Sequence, residues 1–219
     1  MEDMMFNDRR EAGRELASRV AALGLESPVV LALPRGGVPV AAEVARALNA
    51  PLDLLLVRKI GAPFQPELAV AAVADGPQQE LVIDEEILGL TGATHDYVER
   101  EAEEERAEIA RRRTAYLCDR SRVPVKGRPV VLVDDGIATG TTMKAALKAL
   151  QRMKPARLVL AVPVAPSDTL QALRPEVDDI VCVMVPPFFR AVGCHYVDFH
   201  QVDDDEVIEA LRQAGERAA

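Results

Sequence analysis

Residues 130–147, VVLVDDGIATGTTMKAAL, combine an apolar run, a pair of acids and the start of a helix. The aliphatic run predicts a buried strand of a parallel sheet. Asp134 and Asp135 follow it directly, and a glycine- and threonine-containing turn leads into a helix predicted for residues 141–153. A strand that enters a helix through such a turn is the repeating unit of an α/β fold.

The same alternation extends along the chain. Continuous apolar runs predict core strands at residues 28–33, 52–57, 128–133, 157–164 and 179–185, with further extended runs at residues 68–74 and 80–84. Helical periodicity predicts helices at residues 6–23, 38–48, 95–117, 141–153, 167–173 and 204–214. Buried strands that alternate with helices predict an open, mostly parallel sheet with helices on both faces.

The composition narrows the classes of function. A chain of 219 residues that is 49% hydrophobic suits one substantial domain. Its net charge of −9 predicts no broad basic surface for nucleic acid. We find no apolar run of membrane-spanning length and no signal-peptide core at the N-terminus. The three cysteines lack metal-site spacing and fit a reducing cytoplasm, so we predict a cytoplasmic protein without a nucleic-acid or membrane partner.

The turn before the helix at residues 141–153 is suited to an anion. Backbone N–H groups converge where a helix begins, and the helix dipole favours negative charge there. Hydroxyl groups from the threonines add donors, and the glycine allows close approach of the backbone. The loop lacks the ending of a Walker A motif, so it predicts a phosphate site of another kind. The candidate phosphate ligands are Ala138, Thr139, Gly140, Thr141 and Thr142.

Two acids beside an anion site would repel a simple anion. We therefore expect a ligand that carries, besides its phosphate, a group that the acids can bind. In a sugar 5-phosphate, the phosphate would bind the turn, and the ionised Asp134 and Asp135 would accept hydrogen bonds from a vicinal diol. The same carboxylates can offset positive charge on an oxocarbenium-like transition state. The alternative is that both acids cap a turn, with Thr141 or Thr142 as the helix N-cap.

The stretch VVLVDDGIATGTT resembles the phosphoribosyl pyrophosphate (PRPP) signature of type I phosphoribosyltransferases. The resemblance implies a five-stranded, mostly parallel sheet with flanking helices, and a hood over the active site. It covers the chain as a single domain, residues 1–219. The core would span about residues 25–185 with an inserted helical segment at about 85–120, and the hood would combine about residues 1–24 and 186–219.

The stretch LPRGGV follows the first strand and resembles the family's pyrophosphate loop, formed by Pro34, Arg35, Gly36 and Gly37. In the family this loop binds pyrophosphate through main-chain amides, often with a cis peptide bond that does not precede proline. The resemblance places that bond between Pro34 and Arg35. The alternative is an ordinary strand–helix turn that uses glycines for its geometry.

Arg58 and Lys59 end the second predicted strand and resemble the family's basic pair that contacts the PRPP phosphates. The alternative is a solvated pair at a strand end. The interval from residue 60 to residue 128 is longer than the family pattern, and the position of the family's flexible lid within it is not defined. We interpret its charged helix, including the run RRRTAY, as a solvated surface.

The C-terminal segment at residues 186–202 resembles the family's acceptor-binding hood, whose members stack an aromatic ring on the acceptor. The available rings are Phe188, Phe189, Tyr196 and Phe199. For any single ring, the alternative is a satellite core with the first helix through Phe6. His195 and His200 are given no catalytic role.

The residue at position 138 indicates which bases can serve as the acceptor. In 6-oxopurine phosphoribosyltransferases an acid occupies this position and faces the purine, whereas alanine resembles the adenine and orotate enzymes. We therefore predict that hypoxanthine and guanine are poor acceptors. Efficient use of either base would require another acid, such as Asp198.

The resemblance implies Mg²⁺-dependent transfer of phosphoribose from PRPP to a nitrogen acceptor. The metal would be carried mainly by the PRPP oxygens. Two other functions stay open: a regulatory protein that binds PRPP or a nucleotide without catalysis, and a sugar-phosphate hydrolase or phosphorylase. A homodimer is compatible with the sequence.

Overall fold

The computed structural model describes residues 5–76, 80–118 and 120–216. The strands in these residues are β1 (Val29–Ala32), β2 (Leu52–Leu54), β3 (Val57–Ala62), β4 (Gln65–Ala74), β5 (Glu80–Ile83), β6 (Pro129–Val133), β7 (Arg157–Val164) and β8 (Asp179–Met184). Five of them form a parallel sheet in the order β2-β1-β6-β7-β8. This sheet confirms the predicted fold class.

Helices cover both faces of this sheet. The helices of the described residues are α1 (Arg9–Ala21), α2 (Gly37–Leu48), α3 (Glu85–Thr91), α4 (His95–Leu117), α5 (Thr141–Arg152), α6 (Ser167–Leu173) and α7 (Asp204–Glu216). Of these, α3 and α4 lie against strands of a second, smaller sheet. Four of the helices begin at a side-chain cap: Asp8, Asp84, Thr94 and Asp203 each accept a hydrogen bond from the backbone N–H three residues later. No helix within the described ranges is long and apolar enough to cross a membrane.

Alternate residues of the core strands pack in opposite directions. Val30 and Val131 belong to a cluster that also contains apolar residues of α1, α2 and α7. Their neighbours Leu31 and Leu132 belong to a second cluster with apolar residues of α5 and α6. The β1 and β6 side chains are buried on both faces, which explains why their sequences are apolar without alternation.

The prediction of one strand at residues 52–57 was wrong. β2 ends at Leu54, and after Leu55 and Leu56 the chain enters β3, which lies in a second, antiparallel sheet ordered β3-β4-β5. Leu55 still donates its N–H to a β1 carbonyl, whereas the Leu56 carbonyl accepts from Asp75 beyond β4. Every residue from 52 to 56 is buried, so hydrophobicity does not mark the point where the chain changes sheets.

The interpretation of the RRRTAY run as a solvated surface was wrong for its third arginine. The first two arginines pair with Glu108 at the helix surface. Arg113 instead turns inward, where Nη1 lies 2.6 Å from Asp75 and Nη2 lies 3.3 Å from Asp53. Both acids are almost fully buried. The long helix α4 is therefore joined by an internal charge cluster to the place where the two sheets meet.

Candidate functional site

The candidate site lies where the strand order of the parallel sheet reverses. From β1 the chain moves to β2 on one side, and from β6 it moves to β7 and β8 on the other. β1 and β6 are neighbours, so the loops that follow them meet at the carboxyl edge of the sheet. This reversal is where open α/β sheets bind their ligands. The structure thus brings the predicted pyrophosphate loop and the predicted acidic pair together.

The loop after β1 packs directly against the acidic pair. A Cβ atom at Gly36 would overlap the Asp135 carboxylate, and one at Gly37 would lie 2.8 Å from the Val133 carbonyl oxygen. Both glycines therefore allow a close approach that no side chain would permit. The peptide bond between Pro34 and Arg35 is cis, as the family resemblance implied.

The two acids have different surroundings. Asp134 Oδ1 accepts a hydrogen bond from the Asp135 N–H at 2.8 Å. Burial, together with the neighbouring Asp135 carboxylate, raises the pKa of Asp134 well above its ordinary value. Burial also raises the pKa of Asp135, although the Arg9 guanidinium opposes this effect. The pair is thus an enclosed cluster in which negative charge is costly unless a ligand or a cation offsets it.

Arg9 supplies that cation, and sequence reasoning missed it. Its Nε donates to Asp135 Oδ2 at 2.8 Å and its Nη1 donates to the His200 carbonyl at 2.8 Å. Its guanidinium lies 3.9 Å from the centre of the Phe199 ring. The helical spacing of Arg9 with the buried Ala12 places this arginine on the buried face of α1, and that was the available signal.

The loop after β6 ends in a helix start whose N–H groups are open to a ligand. Gly140 occupies the N-cap position with φ of 76° and provides no side-chain cap. The structure thus contradicts the alternative in which Thr141 or Thr142 is the N-cap. Thr141, Thr142 and Thr139 are exposed at this end of the helix. The Ala138 carbonyl accepts a hydrogen bond from the Thr169 hydroxyl at 2.7 Å, which ties the loop to α6.

A cavity of about 330 Å³ lies beside this helix start. Thr139, Gly140 and Thr141 form one side of it, and small apolar residues of β4 and β5 form another. Lys144, one turn into α5, also lines it. The second sheet therefore forms a wall next to the predicted phosphate loop.

Arg58 and Lys59 do not end a core strand. They lie in β3, where Arg58 Nε donates to Glu105 of α4 at 2.6 Å and Lys59 is exposed. The hydrogen bond to Glu105 raises the pKa of Arg58, so the guanidinium stays charged. Contact of this pair with a phosphate stays a prediction, and it would require Arg58 to share its donors with Glu105.

The four candidate aromatic rings at residues 186–202 differ in how far they are buried. Tyr196 is buried, with its ring 5.4 Å from Phe6 and 5.0 Å from Phe199, and its hydroxyl donates to the Asp135 carbonyl at 2.6 Å. The suggestion that Tyr196 stacks on an acceptor was therefore wrong: it belongs to the satellite core. Phe189 lies against His195, whereas Phe188 is 87% exposed.

Asp198 and His200 are exposed residues of the C-terminal segment at residues 186–202. His200 Nδ1 lies 3.0 Å from Asp198 and its Nε2 lies 3.1 Å from Glu206. These two carboxylates raise the pKa of His200. Asp198 is thus already paired with a histidine. Among the cysteines, Cys182 lies in β8, and burial raises the pKa of its thiol to about 11.

Comparison with known proteins identifies the family. The profile of the "Phosphoribosyl transferase domain" matches residues 7–197. Two curated proteins from Mycobacterium tuberculosis strains CDC 1551 and H37Rv, each named "Putative phosphoribosyl transferase", are 46% identical to the chain over 212 residues. The match covers 96% of this chain and 47% of each relative. The chain thus spans about half the length of the curated relatives it matches.

Solved structures show the same fold. The protein TT1426 from Thermus thermophilus is 48% identical, with a TM-score of 0.87 over 96% of this chain and 99% of that chain. A hypothetical protein from Neisseria gonorrhoeae, solved with bound ppGpp, is 14% identical with a TM-score of 0.50 over 95% of this chain and 94% of that chain, which supports the fold alone. The family profile and the identity with these relatives show that the chain belongs to the phosphoribosyl transferase family.

Proposed function

We propose that the protein transfers 5-phosphoribose from PRPP to a nitrogenous acceptor, a nucleobase or a related compound, and releases pyrophosphate. A bond forms between the acceptor nitrogen and C1 of the ribose while the bond from C1 to the diphosphate oxygen breaks. One observation carries this proposal: Gly36 packs against the Asp135 carboxylate, so the two-glycine loop and the acidic pair share one crevice at the sheet reversal.

The crevice divides into regions that suit the parts of PRPP. The helix start at Ala138, Thr139, Gly140, Thr141 and Thr142 would bind the 5-phosphate through backbone N–H groups and hydroxyls. The two-glycine loop at residues 34–37 would bind the diphosphate through its N–H groups, with Arg35 adding positive charge.

Asp134 and Asp135 adjoin the two-glycine loop and precede the helix start in the chain, so they would lie between these two anion sites. They would hold the ribose diol and stabilise the positive charge that develops on the ribose ring as the diphosphate leaves. Arg9 offsets part of the negative charge of the pair before the substrate binds, and it does so through Asp135. Arg9 also acts on Asp134, but only through its charge at a distance, because its direct ion pair is with Asp135. Asp134 would therefore be the acid better suited to respond to charge on the sugar.

Mg²⁺ fits this site as an ion that arrives with the substrate. Within residues 5–76, 80–118 and 120–216, no group of three or more His, Cys, Asp or Glu side chains could hold a metal alone. Asp134 and Asp135 would be the protein oxygens available to an ion that keeps several waters. When bound, the ion would neutralise charge on the diphosphate leaving group.

The acceptor would bind against the hood at residues 186–202. Phe188 is the exposed ring of this segment, and Val192 packs over Gly136 at the start of the acidic loop. Ala138 has no side-chain group that can exchange a proton with a base. We therefore expect hypoxanthine and guanine to be poor acceptors.

Titration with PRPP, with and without Mg²⁺, tests the proposal when pyrophosphate release is followed over a panel of hypoxanthine, guanine, adenine, uracil, orotate and nicotinate. We expect Mg²⁺-dependent release with at least one acceptor. We expect the double variant Asp134→Asn, Asp135→Asn to lose at least about a hundredfold in kcat/KM. Circular dichroism of this variant should show a folded chain. Near-full turnover by the folded double variant would refute the assignment of the acids, and PRPP binding without turnover would favour a regulatory protein.

A further inference from the structure

Asp204 lies between the two-glycine loop and the long helix α4. Its Oδ1 accepts a hydrogen bond from the Tyr116 hydroxyl at 2.8 Å and lies 3.5 Å from Arg35 Nη1. Tyr116 is buried near the end of α4, whereas Arg35 is half-buried and Asp204 is exposed. One carboxylate oxygen therefore connects the charged helix with the loop that follows β1.

The position of Asp204 is fixed from two sides. α7 begins at Asp204, and its apolar residues Val207 and Leu211 are fully buried in the core. The chain just beyond α4 also contacts α7, because Arg120 Nη1 donates to the Leu211 carbonyl at 3.0 Å. The carboxylate is thus presented to Arg35 from a packed helix rather than from a loop.

The geometry leaves Arg35 able to bind an anion. A guanidinium carries five N–H donors, and the Asp204 contact involves one nitrogen at a long distance. Among the described residues, Asp204 is the one acid that pairs with Arg35. Holding a long side chain in place before the ligand arrives reduces the entropy lost on binding.

The Tyr116 hydroxyl keeps its proton and so remains a hydrogen-bond donor to Asp204. Burial, followed by the hydrogen bond to Asp204, raises the pKa of Tyr116 above its ordinary value. The hydroxyl therefore stays protonated at neutral pH and keeps the carboxylate facing Arg35.

We propose that Asp204 and Tyr116 are positioning residues that hold the Arg35 side chain of the two-glycine loop in place for a diphosphate ligand. This inference rests on the proposed function. It gives the end of α4 a role at the site, although α4 belongs to a segment outside the compact family pattern. Two simpler roles compete with it: Asp204 could serve only the dipole of α7, and Tyr116 could serve only the packing of α4.

Calorimetry of pyrophosphate and of PRPP binding, both with Mg²⁺, tests the inference on the whole chain. We expect Tyr116→Phe and Asp204→Asn each to weaken pyrophosphate binding about threefold to tenfold, the range for loss of one hydrogen bond. Asp205→Asn is the matched control, because it removes the same charge from the next residue of α7, and we expect no weakening. Tyr116→Phe changes no charge, so its effect isolates positioning.

The same binding measurements on chains that also carry Arg35→Gln distinguish a positioning role of Tyr116 from a packing role. If Tyr116 acts through Arg35, then Tyr116→Phe should have no further effect in this background. If Tyr116→Phe does not fold, then Asp204→Asn carries the same comparison. An equal loss in both backgrounds would overturn the inference, as would tighter binding by Asp204→Asn than by Asp205→Asn.

Failure of the proposed function has a separate signature. A wild-type chain that binds neither pyrophosphate nor PRPP would overturn both the proposed function and this inference. A wild-type chain that binds both ligands, with variants that bind them equally well, would overturn the inference alone.

Discussion

Replacement of Arg113 by methionine should strongly destabilise the protein. The Asp75 side chain is 1% exposed, the Asp53 side chain is 7% exposed, and Arg113 contacts both. Methionine keeps much of the length of the side chain but removes its charge and its donors. Asp75 would keep Arg122 as a partner, whereas Asp53 would keep only backbone N–H donors among its described contacts.

Loss of one partner from a buried ion pair costs about 3–5 kcal/mol, because the remaining charge is left without compensation. A domain has about 5–15 kcal/mol of stability in total, so this loss is a large part of it. For a chain of this size, each kcal/mol lowers Tm by about 2–4 °C. We therefore expect a decrease in Tm of about 6–20 °C.

Thermal unfolding followed by far-ultraviolet circular dichroism measures this decrease in Tm. Arg111→Met is the matched control, because Arg111 lies on the same helix and pairs with Glu108 at the surface, where such pairs contribute little. Adding Asp53→Asn to Arg113→Met should recover part of the stability, since it removes an unpaired buried charge. Equal midpoints for Arg113→Met and Arg111→Met would refute the reasoning, as would a further loss in the double variant.

Two predictions concern the candidate site. Arg9→Met should lower the free energy of unfolding, measured in urea, by about 3–5 kcal/mol, because it leaves Asp135 unpaired. Addition of Asp135→Asn should restore much of this stability. A double variant that is no more stable than Arg9→Met would contradict the pairing. Burial raises the pKa of Asp134, so the folded chain keeps the carboxyl proton at pH values where the unfolded chain has lost it. The free energy of unfolding therefore falls as the pH rises from the ordinary carboxyl range through the raised pKa. Asp134→Asn removes this loss and should raise the stability at pH 8 by about 0.5–2 kcal/mol, with little change at pH 3. An equal change at both pH values in thermal melts would contradict the assignment.

Sequence by itself determined the class of the fold and indicated the residues at the centre of the candidate site. Burial on both faces makes the parallel strands continuously apolar, so β1, β6, β7 and β8 could be recognised from local composition. Asp134, Gly36 and the helix start at Thr141 could be found for a related reason. Each belongs to the segment that connects a predicted strand to the next predicted helix. The carboxyl ends of parallel strands meet at one edge, so local positions along the chain were enough to place these residues together.

Only the tertiary structure decided which charges pair and where the chain changes sheets. Arg9 reaches Asp135 across a separation of 126 residues, and Arg113 reaches Asp53 across 60. Hydrophobic periodicity reports which face of an element is buried, but not which distant group it meets there. The run at residues 52–57 shows the same limit, because a buried residue is apolar in either sheet, and only the hydrogen-bond partners of Leu55 and Leu56 reveal that one strand has ended and another begins.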